Sequence, residues 1–264
     1  MKKSILLFCA AALLVVTAGC GGRQKKAPST ASATAQQTIN YPIPTAYEVT
    51  SLINRSGAAF VIGIANPVSR YDSYLTESKK AFALGVYGAD LAYVSTYNMK
   101  QETLDYMKVV RSAVEDLEVS TNFNVALAKK IEDNIDNKDS LIMIISESFR
   151  DTYSFFMNSG KDDMSLFVLA GTWVEGLYIT SQVAITSVRN EDMLQVVANQ
   201  KESLDTLLGL IEVRASKNAE LAQLLTDLAP IRREYDDITK GKVSTDEADQ
   251  IFSVIEKIRD AAVK

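Results

Sequence analysis

Phe82-Ala-Leu-Gly-Val-Tyr-Gly-Ala-Asp-Leu-Ala-Tyr-Val-Ser-Thr96 is answered, 85 residues further on, by Phe167-Val-Leu-Ala-Gly-Thr-Trp-Val-Glu-Gly-Leu-Tyr-Ile-Thr-Ser181. At that offset Asp90 falls on Glu175 and Tyr93 on Tyr178, while most other positions are apolar or small. Neither stretch contains proline, and each is apolar on every side, as a helix in the middle of a bundle must be. Gly85 and Gly88 interrupt the first, Gly171 and Gly176 the second. Each glycine costs about 1 kcal/mol of helix propensity relative to alanine, and close approach of a neighbouring helix is the usual compensation.

Outward from these two stretches the rest of the body has the same period. From Thr45 onward Ala, Leu, Glu and Lys are abundant, the apolar residues recur at helical spacing, and only Pro67 and Pro230 intervene. The pattern predicts an all-α helical bundle with helices near 46–55, 67–98, 100–118, 122–135, 138–158, 163–188, 190–212, 217–240 and 245–262. Asn66 is a candidate cap with Pro67 in the first turn, Ser244 and Glu247 have capping-box spacing, and Gly160 and Gly241 stand where helices should end. Residues 56–65 are apolar enough for either a buried helix or a short extended piece.

A second internal match, at an offset of 94, sets Leu117–Ala128 over Ile211–Ala222. The two matches occur in the same order, as a tandem duplication would leave them. They predict two four-helix repeats, residues 67–160 and 161–264, sharing one core.

The other end of the chain has a different grammar. Lys2 and Lys3 precede twelve apolar residues, Ile5 to Val16, and the small residues Thr17-Ala-Gly19 lead to Cys20. This is the layout of an export signal, and the apolar run is too short to span a bilayer. Residues 1–19 are therefore expected to be removed and Cys20 to carry lipid, as in the lipobox of bacterial lipoproteins. Residues 20–44 are small and polar, with Pro42 and Pro44 near their end, and predict a flexible tether with a reach of about 25 to 30 Å. Gly21 rather than an acid after the cysteine points to the outer membrane of a Gram-negative envelope. The helical domain is expected over 45–264. Cys9 lies inside the signal, so Cys20 has no disulfide partner and stability must come from packing.

The body from Thr45 carries 23 basic residues against 33 acidic ones, a net charge of −10. An acidic body argues against nucleic acid, and the basic cluster Arg23, Lys25 and Lys26 lies beside the lipid, where it suits anionic headgroups. There is no histidine in the chain. That removes the commonest general base, the commonest zinc ligand, histidine-bound haem and the Glu-x-x-His pairs of di-iron bundles. No phosphate-binding Gly-Lys loop and no calcium loop is present either, so no metal and no cofactor is expected.

What chemistry remains centres on Asp90 and Glu175. Each has a tyrosine three positions later, on the same helical face, and a carboxylate among apolar residues must be hydrogen-bonded, paired or protonated. Tyr93 and Tyr178 are the obvious donors. One reading makes the two acids architectural, fixing how the central helices dock. The other makes Asp90, Tyr93, Glu175 and Tyr178, with Tyr87 and Trp173, the lining of a groove for a cationic, peptide or sugar ligand. A second cluster, Glu147, Arg150, Asp151 and Tyr153, has the spacing of a salt-bridge network.

Lys80-Ala-Phe-Ala-Leu-Gly-Val-Tyr-Gly-Ala-Asp-Leu-Ala-Tyr93, with Asn137-Lys-Asp-Ser-Leu141 and Trp173-Val-Glu-Gly-Leu-Tyr178, resembles a group of helical lipoproteins of Bacteroidetes-type bacteria with no assigned activity. The resemblance covers most of the body and implies a helical protein tethered to the membrane by lipid on Cys20. It supplies no catalytic residue. The expected function is a non-enzymatic envelope module that binds a partner protein, peptide or small ligand. The alternative is an envelope hydrolase acting on glycan or peptide with Asp90 and Glu175 as its paired carboxyls.

Overall fold

The quoted stretch is a helix with its own cap: the Thr76 side chain accepts a hydrogen bond from the Lys79 amide, and Glu77–Thr96 follow in α conformation. In the computed structural model the described residues are 42–44, 46–55, 57–119, 121–186, 191–238 and 243–263. Among them are nine α-helices and no strand: α1 (Ala46–Arg55), α2 (Glu77–Thr96), α3 (Lys100–Asp116), α4 (Thr121–Asp133), α5 (Lys138–Asn158), α6 (Asp162–Thr186), α7 (Glu191–Ala215), α8 (Ala219–Asp236) and α9 (Thr245–Val263). A short 3-10 helix, Val68–Ser73, lies between α1 and α2. The predicted signal, Cys20, the tether up to residue 41 and Gly241 fall outside the described residues. Ile43, assigned to the tether by its composition, is buried in the core.

α2 and α6 are the two inner helices. From Ala81 to Thr96 and from Ser165 to Leu177 every residue is buried, which is why neither helix has a polar face. They pack on one another more extensively than any other pair. The contact is backbone to backbone: a Cβ on Gly85 would stand 2.6 Å from the Thr172 amide nitrogen, and one on Gly171 would stand 2.9 Å from the Phe82 carbonyl carbon. Gly88 has a different reason, since a Cβ there would lie 2.5 Å from the Phe149 ring of α5. Phe82 to Val86 meet Val168 to Thr172, and five residues on Asp90 meets Glu175, so the two helices run in the same direction.

Around this pair the packing repeats. α2, α3, α4 and α5 contact one another in turn and α5 returns to α2, while α6, α7, α8 and α9 do the same and α9 returns to α6. The 85-residue offset coincides with the helix starts at Glu77 and Asp162. The 94-residue offset does not fit: it sets Leu117, in the turn after α3, against Ile211, still inside α7, which ends 99 residues after α3 does.

Local signals explain most helix ends. Asn137 caps α5 through the Ser140 amide, and Asn218 caps α8 through the Glu220 and Leu221 amides. Ser244 and Glu247 form the reciprocal box expected at α9, the Glu247 carboxylate accepting from the Ser244 amide at 2.7 Å. Gly160, at φ 69°, lets the Lys161 amide reach back to the Phe156 carbonyl and closes α5.

The helix predicted over 67–98 is divided. Pro67 and Tyr74 are both extended, so the chain makes the 3-10 turn, breaks, and restarts at Thr76. The break turns Tyr71 and Tyr74 into the core, with ring centroids 6.0 and 6.4 Å from that of Tyr87. Asn66 does not cap a helix; its side-chain amide donates to the Tyr74 hydroxyl at 3.2 Å. Residues 57–67 instead run as an irregular strap, antiparallel to α2. Its backbone is served by tyrosines: Tyr97 donates to the Ala58 carbonyl at 3.0 Å, Tyr93 both accepts from and donates to Val61, and Tyr87 donates to the Pro67 carbonyl at 2.9 Å. Tyr106 of α3 takes the Asn66 carbonyl at 3.0 Å. A strap laid over an apolar helix has peptide groups without helical partners, and these hydroxyls are what satisfies them.

Candidate functional site

Asp90 on α2 and Glu175 on α6 come together in the centre of the body. Both side chains are fully buried. Glu175 is held by Arg259 of α9 in a two-pronged pair, Nε to Oε2 at 3.0 Å and Nη2 to Oε1 at 3.0 Å. Asp90 Oδ2 accepts the Asn66 amide of the strap at 3.1 Å, and the Asp90 and Glu175 carboxyls lie within hydrogen-bonding reach of each other.

Two carboxyls this close in a dry core do not both ionise. Burial, and next the negative charge of Glu175, push Asp90 well above the usual carboxylate range. Burial also raises Glu175, but there the Arg259 guanidinium opposes it. Burial disfavours the Arg259 cation, yet Glu175 outweighs this and holds it more firmly protonated. The arrangement is therefore a neutral Asp90 beside an ionised Glu175 and a cationic Arg259. Asp90 Oδ1 accepts from no N–H or O–H donor among the described residues, as suits a protonated carboxyl.

The tyrosines expected to serve these acids do not. Tyr93 is committed to Val61, and burial pushes its hydroxyl up to about 12, so it stays a donor across the working range. Tyr178 is half-buried and lies under Arg259, with the guanidinium carbon 4.5 Å from the ring centroid. It therefore supports the pair through the cation rather than through the carboxylate. Tyr87 turns to the Pro67 carbonyl. Trp173 is buried near Tyr235 of α8, with ring centroids 6.5 Å apart, and its indole nitrogen has no partner among the described residues. The six candidate residues thus line no common groove. In the second cluster Glu147, Arg150 and Asp151 are exposed on α5 while Tyr153 is buried.

The concave site lies elsewhere. A cleft of about 860 Å³ opens between the beginnings of α2 and α6 on one side and α8 and α9 on the other. Phe82, Phe167, Val174, Leu224, Leu228 and Ile258 give it an apolar floor. Its rim carries Ser78, Lys79, Glu220, Gln223, Asp227 and Lys257. Glu220 accepts the Ser78 hydroxyl at 2.7 Å and Asp227 accepts the Gln223 amide at 2.8 Å. Neither Asp90 nor Glu175 faces this cleft, though its wall includes Tyr74, whose hydroxyl is bonded to Asn66. The volume is that of a small-molecule site, and the lining has the usual composition of one.

Signals for the cleft were present in the sequence. Phe82 and Phe167 head the two repeated stretches. On α9 the buried stripe Ala248, Ile251, Ile255 and Arg259 is flanked by a second apolar stripe, Val254, Ile258 and Ala261, which one core does not require. Pro230 inside α8 has no N–H to give the Thr226 carbonyl, and both residues line the cleft. Among the described residues no helix is long and apolar enough to cross a membrane. No family model, curated protein or solved structure matches the chain.

Proposed function

We propose that this chain is a lipoprotein anchored through Cys20 in a Gram-negative envelope, at the outer membrane, and that its helical body is a non-enzymatic module binding a small ligand in the α2/α6/α8/α9 cleft. On this reading the body is a duplicated pair of four-helix units, residues 67–160 and 161–264. The repeated packing rings and the common 85-residue register of α2 and α6 support the duplication. The observation that carries the binding reading is the cleft itself, apolar at its floor and polar at its rim. What weighs against a hydrolase built on Asp90 and Glu175 is their burial: both are 0 % exposed, and one is locked to Arg259. Hydrolysis needs a carboxyl pair that meets both substrate and water.

Two measurements test the reading. Labelled palmitate should enter the wild-type chain in a Gram-negative host and be absent from Cys20→Ala, which should leave the membrane fraction. The unlipidated Cys20→Ala chain should bind the apolar dye Nile red saturably with a blue-shifted emission. Adding Ala261→Trp, which places an indole from an exposed position on the lining, should abolish the signal with the far-ultraviolet circular dichroism unchanged. Saturable dye binding that survives the plug would move the site away from this cleft.

A further inference from the structure

Resting on the cleft reading above, we infer that its ligand is a single-chain amphiphile with an anionic head, of the chemical class of a long-chain fatty acid, with Lys79 and Lys257 receiving the carboxylate. The floor supplies the tail's environment. Phe82 and Phe167 lie from two inner helices, Leu224 and Leu228 from α8, and Ile258 from α9, with no charged side chain among them. An apolar surface of this kind rewards chain length, at about 0.8 kcal/mol for each buried methylene.

The head is assigned from the rim. It carries two acids and two lysines, and they are not equivalent. Glu220 already accepts from Ser78 and Asp227 from Gln223. Among the described residues Lys79 and Lys257 have no side-chain hydrogen bond or ion pair. Each lysine stands one helical turn from an apolar lining residue on its own helix, Lys79 from Phe82 and Lys257 from Val254 and Ala261. A lysine so placed lays its methylene stem along the apolar wall and keeps its ammonium at the water. The two lysines come from α2 and α9, on different walls of one cleft, and both are exposed there to a ligand's head. The net charge of the body opposes an anion at long range, but at physiological ionic strength that field is screened beyond about 8 Å and the local lysines decide.

The test uses the whole chain with Cys20→Ala, so that no lipid of its own competes, and displacement of Nile red by three probes of equal chain length: a fatty acid, the corresponding alcohol and the corresponding alkylamine. The acid is expected to bind tightest, and to gain about fourfold for each methylene added over a short series. Lys79→Met with Lys257→Met is expected to weaken the acid roughly three- to thirtyfold while leaving the alcohol unchanged. Alcohol or amine binding as well as the acid, or an acid affinity indifferent to the double substitution, overturns the headgroup assignment. No displacement by any probe, although Nile red binds and Ala261→Trp blocks it, overturns the amphiphile and leaves the cleft reading standing. Failure of Nile red itself to bind removes the cleft reading and this inference with it.

Discussion

Asp90→Asn is expected to leave the protein within about 1 kcal/mol of wild type at about pH 4 and below, while Glu175→Gln is expected to cost about 3 to 5 kcal/mol. The difference follows from where the shared proton sits. A neutral Asp90 donates to Glu175 and accepts from the Asn66 amide, and an amide side chain of the same length can do both. Among the described residues only Glu175 grips Arg259 with two hydrogen bonds, and the arginine side chain is 8 % exposed. Neutralising Glu175 leaves that cation with only Asp260, 3.9 Å away and half exposed, as a counter-charge. For a body of this size each kilocalorie moves the melting temperature by about 2 to 4 °C, so Glu175→Gln should melt roughly 6 to 20 °C lower. The pH dependence sharpens the test. Asp90 is raised in the folded state, so the native protein keeps a proton that the unfolded chain gives up near pH 4. The contribution is fully present below that pH, and it is lost as pH rises through the folded value. Between the two, Asp90 makes stability fall by about 1.4 kcal/mol per pH unit. Urea unfolding of wild type and Asp90→Asn, followed by far-ultraviolet circular dichroism from about pH 4 upward, should show wild type losing stability relative to the variant at that slope. A costly Asp90→Asn with a mild Glu175→Gln would put the proton on Glu175. A difference that does not change with pH would mean that Asp90 is ionised in the fold.

The glycines of the inner helices separate by the same measurement. Gly85→Ala forces a methyl against the α6 backbone and should destabilise by about 1 to 3 kcal/mol or more, whereas Gly176→Ala, whose added carbon meets nothing within 4 Å beyond its own stretch of helix among the described residues, should stabilise by about 0.5 to 1 kcal/mol. Equal effects at the two sites would refute the backbone contact as the reason for Gly85. Trp173→Phe should stay within about 1 kcal/mol in thermal unfolding, because the volume lost is offset by removing a buried N–H that has no acceptor among the described residues. A loss of several kilocalories would mean that the indole nitrogen has a partner it depends on.

The fold was legible because its signals are local. Helical period, the capping box of Ser244 and Glu247, and the stop at Gly160 all lie within a few residues of what they determine. The meeting of the two acids was also legible, since equal positions on two inner parallel helices face one another when the helices cross at glycine. Their partners were not. Tyr93 lies one turn from Asp90, but the strap's peptide groups compete for the same hydroxyl, and nothing near Tyr93 in sequence records that the strap passes there. Arg259 is 84 residues from Glu175 and reaches it only because α9 closes back on α6. The cleft draws its lining from four helices and the end of the 3-10 turn, so its residues are scattered through the chain from Ser73 to Ala262.

On the proposed duplication, the acid pair presents a problem that the two units had to solve together. A copied acid at the same position of two parallel helices places like charges side by side in a medium where neither is hydrated. One proton and one cation remove the conflict, and the surroundings decide which acid receives which. The second unit brings α9 against α6 and with it Arg259, and the longer Glu175 side chain spans the distance to the guanidinium. The strap, residues 57–67, precedes α2, whereas α6 is preceded only by the short turn at 159–161. It offers Asp90 one backbone N–H, enough for a neutral carboxyl and too little for an isolated anion. The asymmetry of the pair is therefore produced by what lies outside the repeated helices, and the centre so formed ties α2, α6, α9 and the strap into one buried polar joint beneath the cleft wall at Tyr74.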